Sequence, residues 1–324
     1  MELGIPGTFG STKMMIVLYS SACVFVVITS LIAFVYLAPA RAVEAALNAT
    51  RKQSGLIRKE IALPNGLHYA YLEGGQGEPL MLLHGFGGNK DTFTRVARFL
   101  VKRYRVIIPD IIGFGESAHP QHADYSLSAQ VERLRVFSQA LNLKQLHLGG
   151  NSMGGQIALL YAARYPAEVA SLWLLNATVA SSSFKSDVLK VIAESGHNPL
   201  IARNEQEFQE VMALGMSKPP FIPKPMLKVL AQERIQNAAL EERIFQQIFD
   251  HSIEDQIRGI ETPTLIVFGN QDRVISVETV NVLRKLLPRS KVALVQNAGH
   301  VPMFEQPRQC ANDYVSFRES MFEV

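Results

Sequence analysis

Gly150-Asn151-Ser152-Met153-Gly154 is the stretch of this chain best suited to covalent chemistry. A strand-like apolar run precedes it and an apolar helix-like run, GGQIALLYAARY, follows. Glycines two residues to either side let the backbone turn sharply and lift Ser152 above a sheet edge without side-chain clashes. A serine hydroxyl is a weak nucleophile near neutral pH, so it needs a base, and the base needs an orienting carboxylate. Of the eight histidines, His300 in Asn297-Ala298-Gly299-His300 fits best, because it follows the last strand-like run. Asp272, after the run ending at Phe268, is the expected acid. Asp250 and Asp255 fall near the last helix of an insert and fit less well. Asn176, after the strand-like run ending at Leu175, is the other position where an acid could stand, and it is not one. The backbone N–H groups of Met153 and of Phe86, in His84-Gly85-Phe86-Gly87-Gly88, are the expected oxyanion donors. His84 and Asp110 read as loop supports and His147 as packed within a strand. The chemistry this set supports is acyl transfer through Ser152.

Other chemistries find little footing. Lys and Arg number 32 against 29 Asp and Glu, a net charge of +3 without a dense basic run, so no nucleic-acid partner is expected. The two cysteines, Cys23 and Cys310, give neither a disulfide framework nor a zinc site. The glycines after His84 lack the spacing of a phosphate-binding loop. Neither a cofactor nor a metal is expected.

These residues must be positioned by a sheet. Runs such as PLMLLH (79–84) and YRVIIP (104–109) are apolar throughout, as strands covered on both faces are. Strands are read at Leu67–Glu73, Pro79–His84, Tyr104–Pro109, Gln145–Leu148, Val169–Leu175, Thr264–Phe268 and Lys291–Val295. Helices alternate with them at Asp91–Val101, Ser126–Leu141 (Ser126 as cap), Met153–Tyr165, Val277–Leu287 and Arg308–Met321. The pattern predicts an α/β domain with a mostly parallel sheet. It is interrupted at 181–257 by helical stretches Lys185–Glu194, Glu205–Met216 and Met226–Phe249. Both ends return to the same sheet, so this insert reads as a lid over the carboxyl edge, where open α/β sheets bind ligands. A separate helical domain is the alternative. The core is thus divided into 59–180 and 258–324.

Met14–Ala38 is 25 residues without a charge, about 37 Å as a helix, and long enough to span a bilayer. A cleaved signal peptide, with Ala38-Pro39-Ala40 as the cleavage region, is the rival reading, but the apolar run is longer than such peptides carry. A juxtamembrane segment, 39–58, follows. Arg41, Arg51, Lys52, Arg58 and Lys59 lie after the span, against Lys13 before it, and the positive-inside rule taken alone puts the body on the cytoplasmic side. Some of these basic residues could instead belong to a helix on lipid headgroups, so sidedness stays open.

HGFGGNKDTF (84–93), GNSMGGQIALLYAARYP (150–166), FGNQDRVI (268–275) and NAGHVPMFEQP (297–307) together resemble the α/β-hydrolases. With the anchor and lid, residues 60–320 resemble membrane-anchored monoacylglycerol lipases and their bacterial lipase and phospholipase relatives. The resemblance implies an α/β-hydrolase fold with a Ser152–Asp272–His300 triad, oxyanion donors Phe86 and Met153, and a lid over an acyl pocket. It implies a serine esterase acting on lipid esters at a membrane, with monoacylglycerol as the leading substrate and phospholipase A or lysophospholipase activity as the alternative. Animal members of the group face the cytoplasm and some bacterial ones the periplasm. A bacterial chain would sit in the inner membrane, crossing it once. Ser20, Ser21 and Ala22 are small enough for a second copy to pack there, so a homodimer is a further expectation. Carbon–carbon hydrolysis, cofactor-free peroxidase chemistry and a noncatalytic membrane scaffold are the rivals on the same fold.

Overall fold

The computed structural model describes residues 9–64, 66–179, 187–249 and 252–321. Asp250, His251 and the first residues of the predicted lid, 181–186, lie outside the described residues.

Helix α1 (Phe9–Leu37) leads into α2 (Pro39–Gln53). The core then runs β1 (Ile57–Ala62), β2 (His68–Gly74), β3 (Glu78–Leu83), α3 (Thr94–Leu100), β4 (Tyr104–Pro109), α4 (Leu127–Ala140), β5 (Leu146–Asn151), α5 (Met153–Arg164) and β6 (Val169–Leu175). Helices α6 (Asp187–Ser195), α7 (Glu205–Gly215), α8 (Lys224–Gln236), α9 (Ala238–Phe249) and α10 (Glu254–Ile257) form the insert. The chain returns through β7 (Thr264–Gly269), α11 (Thr279–Leu286), β8 (Ser290–Val295), α12 (Pro302–Glu305) and α13 (Pro307–Glu319).

The strands form one sheet in the order β1-β2-β4-β3-β5-β6-β7-β8. Neighbours from β4 to β8 are parallel, whereas β1–β2 and β2–β4 are antiparallel. Strand alternation sorts the apolar runs onto two faces. Met81, Leu83, Ile107, Leu148 and Phe268 join the core that includes α4 and α5. Leu80, Leu82, Val106, Trp173 and Val267 join the core that includes α3 and α13. This two-sided burial is why these strands read as continuous apolar runs.

Two details differ from expectation. The predicted helix Met226–Phe249 is two helices, because Asn237 ends α8 and accepts the Glu241 amide at 2.9 Å in the first turn of α9. Strand β1 was not anticipated: IRKEIA is an exposed edge strand whose charges hide the period of two.

Among the described residues of α1, Leu18–Leu37 is long and apolar enough to cross a membrane, and none of it is buried. Tyr19 and Tyr36 stand near its two ends, about 25 Å apart along its axis. Helix α2 packs on α8 and buries Ala42, Val43 and Arg51. Arg51 forks onto Asp91 (Nε to Oδ1 2.7 Å, Nη2 to Oδ2 2.5 Å). Arg58 pairs with Glu116, and Lys59 with Glu73 at 2.6 Å. Of the basic residues that follow the span, Arg51 is thus buried against the body, while Arg58 and Lys59 pair with acids at its exposed edge strand.

Candidate active site

Ser152 sits between β5 and α5 with φ 53° and ψ −117°, a conformation non-glycine residues rarely hold. The turn closes so tightly that a Cβ on Gly150 would lie 2.2 Å from the Gly154 carbonyl oxygen, and one on Gly154 would lie 2.3 Å from that of Leu83. Both glycines are thus required by contact with backbone that cannot yield. We expect Gly154→Ala to lower stability by about 1–3 kcal/mol through overpacking, read as a lowered Tm. An unchanged Tm would contradict this geometry.

Asp272 follows β7 and His300 follows β8, on the same sheet edge as Ser152. His300 Nδ1 donates to Asp272 Oδ2 at 2.8 Å, which leaves Nε2 as the free ring nitrogen. The carboxylate is held by further donors. The Val274 and Ile275 amides reach Oδ1 at 2.7 and 3.0 Å, and Asn176 Nδ2 reaches Oδ2 at 2.6 Å. Ser152 and His300 line one cavity of about 540 Å³ together with Phe86. Met153 opens α5, so its N–H belongs to the first turn, where helix amides lack an intrahelical acceptor. The structure thus brings together the five residues the sequence singled out.

Sequence reasoning passed over residues that hold this site. Asn151 donates through Nδ2 to the Leu175 and His300 carbonyls at 3.0 and 2.9 Å, joining the serine turn to the histidine loop. Asn176, considered only as a missing acid, is a donor to the acid that is present. Neither has a sequence signal beyond its place, Asn151 at the end of β5 and Asn176 just after β6.

The Phe86 loop is fastened from several sides. His84 is fully buried, and burial pushes its imidazole below the ordinary value. Its neutral ring donates from Nδ1 to the Gly85 carbonyl at 2.8 Å and accepts the Ile111 amide at Nε2 at 2.9 Å. Asp110 accepts the Lys90 amide at 2.6 Å, Lys90 Nζ at 2.7 Å and the Glu116 amide at 2.8 Å. Burial works against the Lys90 ammonium, but Asp110 and Glu116 outweigh it and hold its pKa above the ordinary value. Both residues are the loop supports expected of them.

From the lid, Arg234 donates to the Gly87 carbonyl at 2.9 Å and to that of Leu200 at 2.7 Å. The same guanidinium meets Glu241 at 2.6 and 2.9 Å. Burial pushes the Glu241 carboxyl up, and Arg234 opposes it. We expect Arg234→Met to cost about 3–5 kcal/mol, because Glu241 is left buried without its partner. Arg234→Met/Glu241→Leu should recover most of that stability but not the hold on Gly87. Thermal melts of both variants check this, and equal losses would contradict it.

The cavity walls come from the lid, from the core and from α2. Val188, Leu189, Phe208, Val211, Met212 and Met226 face it. Ile192 and Leu214 of the same helices pack on the core instead. Helix α2 contributes Val43, Ala46, Leu47 and Thr50, one helical stripe. Among the described residues, no group of His, Cys, Asp and Glu is arranged to hold a metal ion.

A family model described as alpha/beta hydrolase fold matches residues 78–201. The chain is 43% identical to Lipase 1 of Psychrobacter immobilis, over 83% of this chain and 86% of that protein. It is 31% identical to a monoacylglycerol lipase of Xenopus laevis, over 78% of this chain and 80% of that protein. Among solved structures it is similar to a membrane phospholipase A described as a bacterial virulence factor. The TM-score is 0.83 and the identity 36%, with 95% of this chain and 99% of that one covered. The chain belongs to the α/β-hydrolase family, and it is a carboxylic ester hydrolase of the lipase and esterase kind. Within the lipid readings, the phospholipase alternative is backed better than the leading monoacylglycerol one.

Proposed function

We propose that the chain is a membrane-anchored phospholipase A that cleaves acyl esters of glycerophospholipids through an acyl-enzyme on Ser152. The observation that carries this reading is the apolar cavity beside Ser152 and His300, walled partly by α2, which continues directly from the apolar helix α1. Similarity to a membrane phospholipase A supports it.

Ser152 Oγ attacks the ester carbonyl while His300 Nε2 takes its proton. The oxyanion is stabilised by the amides of Phe86 and Met153. Collapse breaks the ester bond, and His300 protonates the departing lysophospholipid alkoxide. Water then attacks the acyl-enzyme, giving one proton to His300, which passes it to the departing Ser152 Oγ as the fatty acid is released. Asp272 holds the imidazole and its charge throughout.

In this reading α1 crosses the bilayer once and keeps the body at its surface. A homodimer would pack along the same helix, at Ser20, Ser21 and Ala22. The test is fatty acid release by the detergent-solubilised full-length protein from a diacyl glycerophospholipid, a lysophospholipid and a long-chain monoacylglycerol. The expected result is the highest kcat/KM on a phospholipid. Release from monoacylglycerol alone would overturn the phospholipase reading, and no release from any of them would overturn the lipid reading altogether.

A further inference from the structure

The segment joining α7 to α8, Lys218-Pro219-Pro220-Phe221-Ile222-Pro223, carries the most exposed large apolar side chain among the described residues: Phe221 is 93% exposed. Outside α1, the next is Ile57 at 66%. Prolines at 219, 220 and 223 fix their own φ and lack an amide donor, and α8 begins only after them. Lys218 and Lys224 flank the ring and are exposed, and neither makes a side-chain ion pair among the described residues. Such a ring between two unpaired ammonium groups suits a surface that is apolar within and anionic at its rim.

The location narrows the partner. Helix α8 begins at the end of this segment and contacts both α1 and α2. Pro220, Phe221 and Ile222 line the main cavity together with Ala46 and Leu47 of α2. Ala46 of α2 and Phe221 both line the cavity and are both exposed, so the cavity wall reaches the surface at both elements.

We propose that residues 218–224 are a second contact with the bilayer that holds α1. Phe221 enters the acyl-chain region, Lys218 and Lys224 meet anionic lipid phosphates, and the cavity mouth is held at the lipid surface. This rests on α1 being the membrane anchor, and on nothing about which lipid is cleaved.

The chain offers two internal references for a test. Trp173 is its single tryptophan and is fully buried. Cys23 is exposed on α1, while Cys310 is buried. Full-length Phe221→Trp is placed in vesicles of phosphatidylethanolamine and phosphatidylglycerol, with and without brominated acyl chains. A fluorophore on Cys23 reports the anchor separately. The expected result is blue-shifted added emission that is lost with brominated lipid, and a Cys23 probe in hydrocarbon. Lys218→Glu/Lys224→Glu should restore part of that emission. Labelled Phe221→Cys in a Cys23→Ser background reads the same position if Phe221→Trp does not fold. A Cys23 probe in hydrocarbon with unquenched emission at position 221 overturns the second contact and leaves the anchor standing. Both probes in water overturn the contact and the anchor together. Quenching unaffected by the charge reversals overturns the role given to the lysines. No outcome depends on catalysis, so failure of the phospholipase reading would be seen separately.

Discussion

Ser152→Ala is expected to lower kcat/KM for a lipid ester on the order of 10⁴-fold or more while leaving the fold intact. The two effects separate because the strain at this position belongs to the backbone. The positive φ of Ser152 is imposed by the close approach of Gly150 to Gly154 and of Gly154 to Leu83, and alanine keeps the same Cβ. Only the hydroxyl is lost, and with it the covalent step. Residual activity from the oxyanion donors and the cavity would persist at a low level. Measured rates should therefore fall at an unchanged Tm. Retained activity would remove Ser152 from the nucleophile's role.

Asp272→Asn is expected to cost on the order of 10³- to 10⁴-fold in kcat, again with little change in fold. Each carboxylate oxygen now faces two donors. His300 and Asn176 donate to Oδ2, and the Val274 and Ile275 amides donate to Oδ1. An asparagine has one oxygen and one NH₂ group. With its NH₂ at the Oδ1 position the asparagine would meet two backbone amides that cannot turn away, so the NH₂ takes the Oδ2 position, where it faces His300 and Asn176, and the imidazole turns, changes tautomer or loses its partner. The neutral side chain also ceases to stabilise the imidazolium formed during proton transfer. A kcat within a few-fold of wild type would show that another group orients His300.

Much of the site was legible because its constraints are local. Gly150 and Gly154 are glycines because the turn leaves no room for a Cβ, so the pentapeptide announces its own geometry. Strands β4 and β6 were readable to the residue, because both faces are covered and their apolar runs end sharply. Asp272 and His300 followed from their places after successive strands.

What escaped the sequence is held together over long separations. Arg51 reaches Asp91, Asn176 reaches Asp272, and Arg234 reaches Gly87 across 147 residues. Nothing in the local pattern of an arginine or asparagine says which distant carbonyl or carboxylate it meets. The role of α2 was hidden for a related reason. Its charges suggested a helix lying on headgroups, whereas Arg51 is buried against the body and the Val43–Thr50 stripe walls the cavity.

The nucleophile of the proposed mechanism is Ser152, activated by His300. It is tested most directly by treating the folded full-length protein with a fluorophosphonate and mapping the adduct by peptide mass spectrometry. The expected result is one adduct per chain, on Ser152, with labelling slowed strongly in His300→Ala. Folded protein that takes no label, or takes it on another serine, would contradict it.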